Sequence, residues 1–207
     1  MAYLALIRHG ESDWNLKGNW TGWTDIGLNE EGREKARQAA MELKDINFDK
    51  AYTSDLRRAQ QTLHEITKFL HIKIPTNVAP EIKEKNYGIY TGKNKWEVEK
   101  EVGHDEFMKI RRSWDYKIPE GESLKMVYDR AVPYYRKTIL PELKNGENIL
   151  LVAHGNSLRA LVKYLDNIPD EEISSLEIAP AEVYLYEIDQ RGSVKNKKIL
   201  AHRENKV

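Results

Sequence analysis

The sequence predicts an α/β protein: a three-layer αβα sandwich around a mostly parallel sheet with an antiparallel edge strand. Short, almost wholly apolar runs at 3–8 and 148–153 are typical of buried parallel strands. Segments with helical spacing lie between them, and the alternating run EVYLYEID predicts a late strand followed by a closing hairpin. The 207 residues contain no linker or low-complexity segment, so we expect a single domain over residues 1–207.

Caps and apolar spacing predict the helices. Asn29, followed by two glutamates, opens a helix that is expected to end near Lys44, and residues 50–54 form the next strand. From Ser54 onward apolar residues recur every three or four positions, which predicts another helix. Residues 75–93 show little periodicity and are expected to form a long irregular connection. Two short helices are expected over 94–114, separated near Gly103. Ser123 is expected to cap a long helix that Pro133 kinks, and Asn156 or Ser157 is expected to cap the helix after it.

Composition limits the possible classes of function. Thirty-three basic and 33 acidic residues give a net charge of zero, so the overall field does not favour nucleic acid or an anionic membrane. The longest apolar runs fall far short of the roughly 20 residues that a membrane span requires, and the N-terminus lacks a signal-peptide pattern. The absence of cysteine excludes disulfides and thiol chemistry. We therefore expect a cytoplasmic protein without nucleic-acid or membrane partners.

Both predicted central strands end in the same His-Gly step. His9 follows the first strand and His154 the second. Ligands of parallel sheets bind beyond the carboxyl ends of the strands, so the two histidines are expected to converge in one crevice. A lone histidine at a strand end is more often structural, but two with the same local pattern, one preceded by Arg8, favour a catalytic pair.

Two pairs of neighbouring arginines are candidates for binding a ligand in this crevice. Arg58 begins a helix that follows a strand and is expected to point inward, whereas Arg57 is expected on the solvated face. Arg111 and Arg112 taken alone resemble surface residues. Together with the polar loop around Glu84, they indicate a pocket for phosphate or carboxylate, which guanidinium groups bind bidentately.

A histidine flanked by arginine in an anion pocket indicates phosphoryl transfer through a phosphohistidine. Neutral imidazole attacks phosphorus, and a general acid or base must then serve the substrate hydroxyl. Glu84 is the candidate for this second role, although taken alone it also fits an ordinary charged loop.

The motifs LIRHGES and VAHGNS resemble the histidine phosphatase superfamily. Further stretches resemble, in chain order, the cofactor-dependent phosphoglycerate mutases: NWTGWTDIGLNEEG, YTSDLRRAQQT, EKNYGIYTGKNK, IRRSWD, GESL and AHGNSLRALVKYL. The resemblance runs from about residue 3 to about residue 188. Asn15, Thr21-Gly22, Lys95 and the arginine pair point to the mutase branch in particular.

The resemblance implies that His9 is transiently phosphorylated, with Arg8, Arg58 and His154 around the phosphoryl group and Glu84 exchanging the hydroxyl proton. The residues implied to bind a phosphoglycerate are Arg8, Ser12, Asn15, Thr21, Gly22, Arg58, Glu84, Tyr87, Lys95, Arg111, Arg112, Gly155 and Asn156. It further implies that 3-phosphoglycerate and 2-phosphoglycerate are interconverted, that 2,3-bisphosphoglycerate primes the enzyme, and that no metal is used. A monomer or homodimer is expected.

The sequence departs from the family pattern near its end and after the arginine pair. Only SWDYKIPE separates that pair from GESL, where many members carry a longer insertion. EIAPAEVYLYEID stands where members often have a Pro-Thr-Gly step, and no long closing tail is expected. A more open site would admit water, so a phosphomonoester phosphatase using the same His9 remains an alternative.

Three other classes of function are less favoured. A non-catalytic module that binds a phosphorylated ligand would not need the whole set of predicted catalytic residues. A metal hydrolase through His9 and His154 lacks an H-E-x-x-H or similar ligand motif. A serine hydrolase through Ser12 or Ser157 lacks G-x-S-x-G.

Overall fold

A six-stranded sheet forms the centre of the computed structural model, which describes residues 1–200. The strands are β1 (Ala2–Arg8), β2 (Lys50–Thr53), β3 (Thr76–Val78), β4 (Ile149–Ala153), β5 (Val183–Ile188) and β6 (Val194–Leu200). Their order across the sheet is β3-β2-β4-β1-β5-β6. Strands β1 to β4 are mutually parallel, β5 is antiparallel to β1, and β6 is antiparallel to β5. The predicted fold class and the predicted hairpin are confirmed.

Helices cover both faces of this sheet. They are α1 (Asp13–Leu16), α2 (Glu30–Met41), α3 (Arg57–Phe69), α4 (Lys95–Val102), α5 (His104–Arg112), α6 (Leu124–Tyr134), α7 (Leu140–Lys144) and α8 (Gly155–Asp166). Short 3₁₀ helices span Pro80–Ile82, Gly88–Tyr90 and Ile173–Ser175. Within residues 1–200 no helix combines the length and the apolar character needed to cross a membrane.

Alternate residues of the central strands enter two separate cores. Leu4 and Leu6 of β1 pack with α6 and α8 on one face. Ala5 and Ile7 pack with α2 and α3 on the other face. Because both faces of β1 and β4 are covered, their sequences are continuously apolar rather than alternating.

A third apolar cluster contains no strand residue and supports α4 and α5. Its buried members are Trp20, Tyr90, Val98, Phe107, Ile110 and Ile118. Since α4 begins at Lys95 and α5 ends at Arg112, this cluster fixes the elements that carry three of the predicted cationic residues.

Two sequence-based expectations were wrong. Thr76–Val78 forms the edge strand β3 inside the connection that was expected to be irregular; three exposed residues are too few to show a periodic pattern. The N-cap position of helix α8 is His154 and not Asn156 or Ser157. The Ser157 hydroxyl, inside the first turn, accepts a hydrogen bond from the backbone N–H of His154 at 3.1 Å.

The expected break near Pro133 takes the form of a π-helical turn. Helix α6 passes through Pro133 and continues as a π-helix over Tyr135–Ile139 before α7 begins. In that turn the Leu140 N–H donates to the Tyr135 carbonyl, a reach of five residues. Two other boundaries shift slightly, with α2 ending at Met41 and α3 beginning at Arg57.

The glycines of the two His-Gly steps meet different neighbours. A Cβ atom on Gly10 would lie 2.3 Å from the carbonyl oxygen of Gly32, at the start of α2. A Cβ atom on Gly155 would lie 3.6 Å from the side chains of Arg8 and Glu84. The first glycine therefore permits close packing of backbone on backbone, and the second leaves space between two polar side chains.

We predict that Gly10→Ala lowers the free energy of unfolding by about 1–3 kcal/mol, because the added methyl group forces the β1 turn away from α2. Gly155→Ala is the matched control, and it should change this free energy by less than about 0.5 kcal/mol. Urea unfolding of both variants measures the difference. Equal losses of stability in the two variants would contradict the distinction.

Candidate active site

The pairing of β1 with β4 brings the two histidines together. Arg8 lies opposite Ala153 in the parallel register, and the backbone N–H of His9 donates to the Ala153 carbonyl at 2.9 Å. After β1 and after β4 the backbone turns at the same edge of the sheet. The rings of His9 and His154 are buried with their centroids 5.0 Å apart, so the expected convergence is confirmed.

Hydrogen bonding orients the His9 ring. Its Nδ1 lies 2.7 Å from the Gly10 carbonyl oxygen, which only accepts, so we assign the ring hydrogen to Nδ1. The lone pair then lies on Nε2, which receives a hydrogen bond from Arg58 Nε at 3.3 Å. Burial, with Arg58 and Arg8 nearby, holds the pKa of His9 well below its ordinary value. His9 is therefore a neutral imidazole whose Nε2 lone pair faces the Arg58 guanidinium.

His154 offers its other ring nitrogen to the site. Its Nε2 lies 2.6 Å from the Ser54 hydroxyl, which itself accepts from the Leu56 N–H. The Ser54 hydroxyl hydrogen can donate to Nε2, and on this basis we assign the ring hydrogen of His154 to Nδ1. This Nδ1 is buried without a partner among residues 1–200. Burial first, then the charge of Arg58, holds the pKa of His154 well below its ordinary value.

Arg58 is fully buried and fixed by backbone carbonyls. Its Nη2 donates to Gly22 at 2.7 Å and its Nη1 donates to Thr24 at 3.0 Å. Burial lowers the pKa of Arg58 to about 10, so the guanidinium keeps its charge at neutral pH. Arg57 lies at the surface, as expected, and pairs with Asp25 at 2.9 Å.

Glu84 is held through one carboxylate oxygen and through its own backbone. Oε1 accepts from the Lys85 N–H at 2.7 Å, from the Asn156 N–H at 3.1 Å and from Asn156 Nδ2 at 2.9 Å. The Glu84 carbonyl accepts from Trp23 Nε1 at 2.7 Å and from Arg130 at 2.9 Å. Oε2 makes none of these bonds and would be a neighbour of a Cβ atom on Gly155. A fixed carboxylate thus keeps one oxygen for a ligand.

Two small adjoining cavities, of about 50 and 90 Å³, share five lining residues: Arg8, Trp20, Glu84, Tyr87 and Lys95. The smaller, which we call the histidine cavity, is also lined by His9, Asn15, Asn19, Thr21, Gly22 and Arg58. The larger, which we call the arginine cavity, is also lined by Arg111, Arg112, Gly155, Asn156, Arg159, Glu177 and Ile178. The histidine cavity thus contains His9, and the arginine cavity contains the arginine pair together with the carboxylate of Glu177.

Several buried polar atoms around these cavities have no partner within residues 1–200. They are Arg8 Nε, Thr21 Oγ1, His154 Nδ1 and Arg159 Nε. Buried polar atoms are nearly always hydrogen-bonded, so a cluster without partners indicates the place of a polar ligand. Because Arg8 and Arg159 contribute donors, the ligand is expected to be an acceptor, as phosphate and carboxylate are.

Ser12 is the predicted site residue that the structure keeps apart from both cavities. Its hydroxyl donates to Asn15 Oδ1 at 2.8 Å and accepts from the Asn15 N–H at 3.3 Å, which caps α1. Ser12 therefore holds Asn15, which lines the histidine cavity. His154 also lies outside the cavity linings, but its ring packs directly on His9.

His9, Glu84 and His154 also form a group whose ligand atoms lie within 4.8 Å of one another, close enough to hold a metal ion. Sequence spacing could not show this, because the three residues come from three distant segments. Arg8 and Arg58 disfavour positive charge at His9, and the same potential favours an anion over a cation there. The expectation of metal-free chemistry stays a prediction.

Sequence reasoning missed five residues that line the cavities, Asn19, Trp20, Arg159, Glu177 and Ile178, and it also missed Lys85, whose Nζ lies over the ring of the lining residue Tyr87. Arg159 is buried and donates to Asn156 Oδ1 at 3.0 Å and to the Arg112 carbonyl at 3.1 Å. Lys85 is buried, and its Nζ donates to the Ile110 carbonyl at 2.9 Å. Trp20 lines both cavities. Only Arg159 had a signal in the sequence: it is a charged residue inside the apolar run LRALV.

The family model described as the histidine phosphatase superfamily (branch 1) matches residues 4–198. The chain is 44% identical to the 2,3-bisphosphoglycerate-dependent phosphoglycerate mutase of Parvibaculum lavamentivorans over 97% of each chain. It is 42% identical to that of Cytophaga hutchinsonii over 92% of this chain and 90% of that one.

Solved structures share the fold over nearly the whole chain. The alpha-ribazole phosphatase of Shigella flexneri has a TM-score of 0.80 and 26% identity, covering 96% of this chain and 95% of that one. The protein described as mycobacterial hydrolase 1 has a TM-score of 0.82, covers 97% of this chain and 98% of that one, and at 23% identity shows the fold alone. On these matches the chain belongs to the histidine phosphatase superfamily and, within it, to the 2,3-bisphosphoglycerate-dependent phosphoglycerate mutase family.

Proposed function

We propose that this protein is a phosphoglycerate mutase of glycolysis and gluconeogenesis. It interconverts 3-phosphoglycerate and 2-phosphoglycerate through a phosphohistidine on His9 and is primed by 2,3-bisphosphoglycerate. One observation carries the proposal: the neutral, oriented Nε2 of His9 faces a cavity lined by fixed cations and by Glu84. The names of the relatives from Parvibaculum lavamentivorans and Cytophaga hutchinsonii support it.

In the first half of the reaction the hydroxyl of the bound phosphoglycerate attacks the phosphorus on His9. The new O–P bond forms, the N–P bond breaks, and its electron pair returns to Nε2 of His9. Glu84 takes the hydroxyl proton through its unbonded Oε2. In the second half His9 attacks the other phosphate, and Glu84 returns the proton to the leaving oxygen.

Fixed hydrogen-bond donors stabilise the transferring phosphoryl group. Arg58 is already held by two carbonyls, and Arg8 keeps its Nε without a partner. His154 adds its buried Nδ1 from the opposite strand. Because these groups are in place before the reaction, they stabilise charge on the three equatorial oxygens without reorganising.

Two features favour transfer to a hydroxyl over transfer to water. His9 is 2% exposed and His154 0% exposed, so solvent reaches the phosphorylated nitrogen only through the small histidine cavity, which a bound phosphoglycerate fills. The arginine cavity also supplies more cations than a single phosphate needs, as expected for a ligand with a second anionic group.

The short connection after the arginine pair is compatible with this proposal. The relative from Parvibaculum lavamentivorans aligns over 206 positions that cover 97% of this chain. The alignment with the mutase of Latilactobacillus sakei, which is 39% identical, extends over 228 positions and also covers 97% of this chain. Both short and long relatives therefore bear the mutase name.

An assay with 3-phosphoglycerate, with and without added 2,3-bisphosphoglycerate, tests the proposal beside a phosphate-release assay. We expect isomerisation that the bisphosphate stimulates and that exceeds phosphate release. The 26% identical alpha-ribazole phosphatase favours the alternative acceptor, water. Phosphate release exceeding isomerisation would select that alternative and reject the mutase.

His9→Ala should abolish both isomerisation and acid-labile labelling by radioactive bisphosphoglycerate, because within residues 1–200 the neighbouring ring of His154 presents a protonated Nδ1 and His9 alone lines the histidine cavity with an unprotonated ring nitrogen. His64→Ala is the matched control, since His64 is exposed on α3. It should keep full labelling. Normal turnover by the His9→Ala protein would reject the phosphohistidine mechanism.

Lys95 predicts how the Michaelis constant depends on pH. Burial, together with Arg8 and Arg111, lowers the pKa of Lys95 to about 8, so the free enzyme loses this positive charge above that pH. We expect KM for 3-phosphoglycerate to rise severalfold between pH 7.5 and 9 with a smaller change in kcat. Lys95→Arg, which stays protonated, should flatten the KM profile, whereas the exposed control Lys93→Arg should not. An unchanged slope in Lys95→Arg would contradict this assignment.

The remaining expectations stay predictions: cytoplasmic location, small-molecule partners only, a monomer or homodimer, and metal-free chemistry. Isomerase activity that survives exhaustive chelation, with metal analysis of the same sample, checks the last of these.

A further inference from the structure

A carboxylate of the protein itself occupies the cationic cavity. Glu177 Oε1 lies 2.8 Å from Arg112 Nη2, and Glu177 lines the arginine cavity. It lies on the connection from α8 to β5, in the stretch EIAPAEV where the sequence departs from the family pattern. The proposed mechanism gives this acidic residue no role, although it stands among groups that must attract an anion.

Two arginines of the site hold the backbone of the connection from α8 to β5 by hydrogen bonds. Arg8 Nη1 donates to the Ile178 carbonyl at 2.5 Å, and Arg159 donates to the Ile173 carbonyl at 2.8 Å. The backbone on either side of Glu177 is therefore fixed. The Glu177 side chain itself is 65% exposed, so it can leave Arg112 for solvent without displacing the backbone.

The charge of Glu177 acts on the cationic groups of the arginine cavity. Partial burial opposes ionisation, but Arg112, Arg111 and Arg8 outweigh it and lower the pKa of Glu177. Glu177 in turn favours the charged forms of Lys95, Arg111 and Arg159. In the ligand-free protein it thus occupies the electrostatic position that an anionic ligand would take.

We propose that Glu177 is a specificity-determining residue that stands in for the ligand's carboxylate on Arg112 and must be displaced when the substrate binds. A ligand with a carboxylate at its non-transferring end replaces the contact with Arg112, whereas a ligand without one leaves Glu177 in place. Glu177 therefore weakens the binding of phosphorylated acids and affects simple phosphate esters less. The inference rests on the proposed function only in taking the substrate to be a phosphorylated acid.

Isothermal calorimetry with two probes tests the proposal. 3-Phosphoglycerate carries a carboxylate, and glycerol 3-phosphate keeps the phosphate without it. Glu177→Gln should lower the Kd of 3-phosphoglycerate roughly two- to fivefold, the range expected for releasing a half-exposed ion pair, and should leave the Kd of glycerol 3-phosphate nearly unchanged.

Glu172→Gln is the matched control, because it removes the same charge from an exposed position on the same connection outside the cavity. It should change neither Kd. In a double-mutant cycle, Arg112→Gln should abolish the gain from Glu177→Gln. Unchanged binding in Glu177→Gln, or an equal gain for both probes, would overturn the proposal.

The melting temperature and the isomerase assay separate the remaining possibilities. A melting temperature of Glu177→Gln close to that of the unsubstituted protein shows that any change in binding is not a loss of folding. A protein that isomerises 3-phosphoglycerate but shows no Glu177 effect contradicts this inference alone. A protein that shows the Glu177 effect without isomerising contradicts the proposed function alone.

Discussion

The parallel pairing of β1 with β4 is the constraint on which the rest of the site depends. It sets Arg8 beside Ala153, and both histidines leave the sheet at the same level. A slip of one residue would exchange the side chains that face the two cores and would turn Arg8 to the opposite face. The apolar residues on both faces of β1 therefore protect the catalytic register as well as the fold. The packing of both faces of β1 thus fixes the relative positions of His9 and His154.

The cations around the cavities are held by neutral carbonyls more than by carboxylates. Arg58 bonds to the carbonyls of Gly22 and Thr24, and burial lowers the pKa of both Arg58 and Arg159 to about 10. A lowered pKa of a basic group means that folding disfavours its charged form. An anion bound beside these guanidinium groups would favour their charged forms and offset this cost. Affinity for anions and stabilisation by ligands are thus two results of the same arrangement.

The sequence predicted the parts of the fold and site that local patterns encode. The two His-Gly steps predicted their own convergence, because the end of a buried parallel strand is visible in the chain. The three-residue strand β3 was missed, since an exposed edge strand of that length has no periodic signal. Lys85 was missed because its burial depends on the Ile110 carbonyl, a contact between distant segments. A residue such as Lys85, whose role is a contact with a distant segment, has no recognisable pattern in the neighbouring sequence. Strand ends, helix caps and motifs do have one.

The short connection that follows the arginine pair supports the loop that carries Glu84. A Cβ atom on Gly88 would lie 2.0 Å from the carbonyl oxygen of Pro119, so the two segments touch backbone to backbone. Arg130 joins the same loop to Glu122 with bonds of 2.9 and 3.0 Å. Glu84 is therefore rigid, and in the proposed reaction it must serve a hydroxyl at two different carbons from one position. Since His9 and Glu84 are both held in place, the proposed reaction requires the bisphosphoglycerate formed by the first transfer to change orientation before the second.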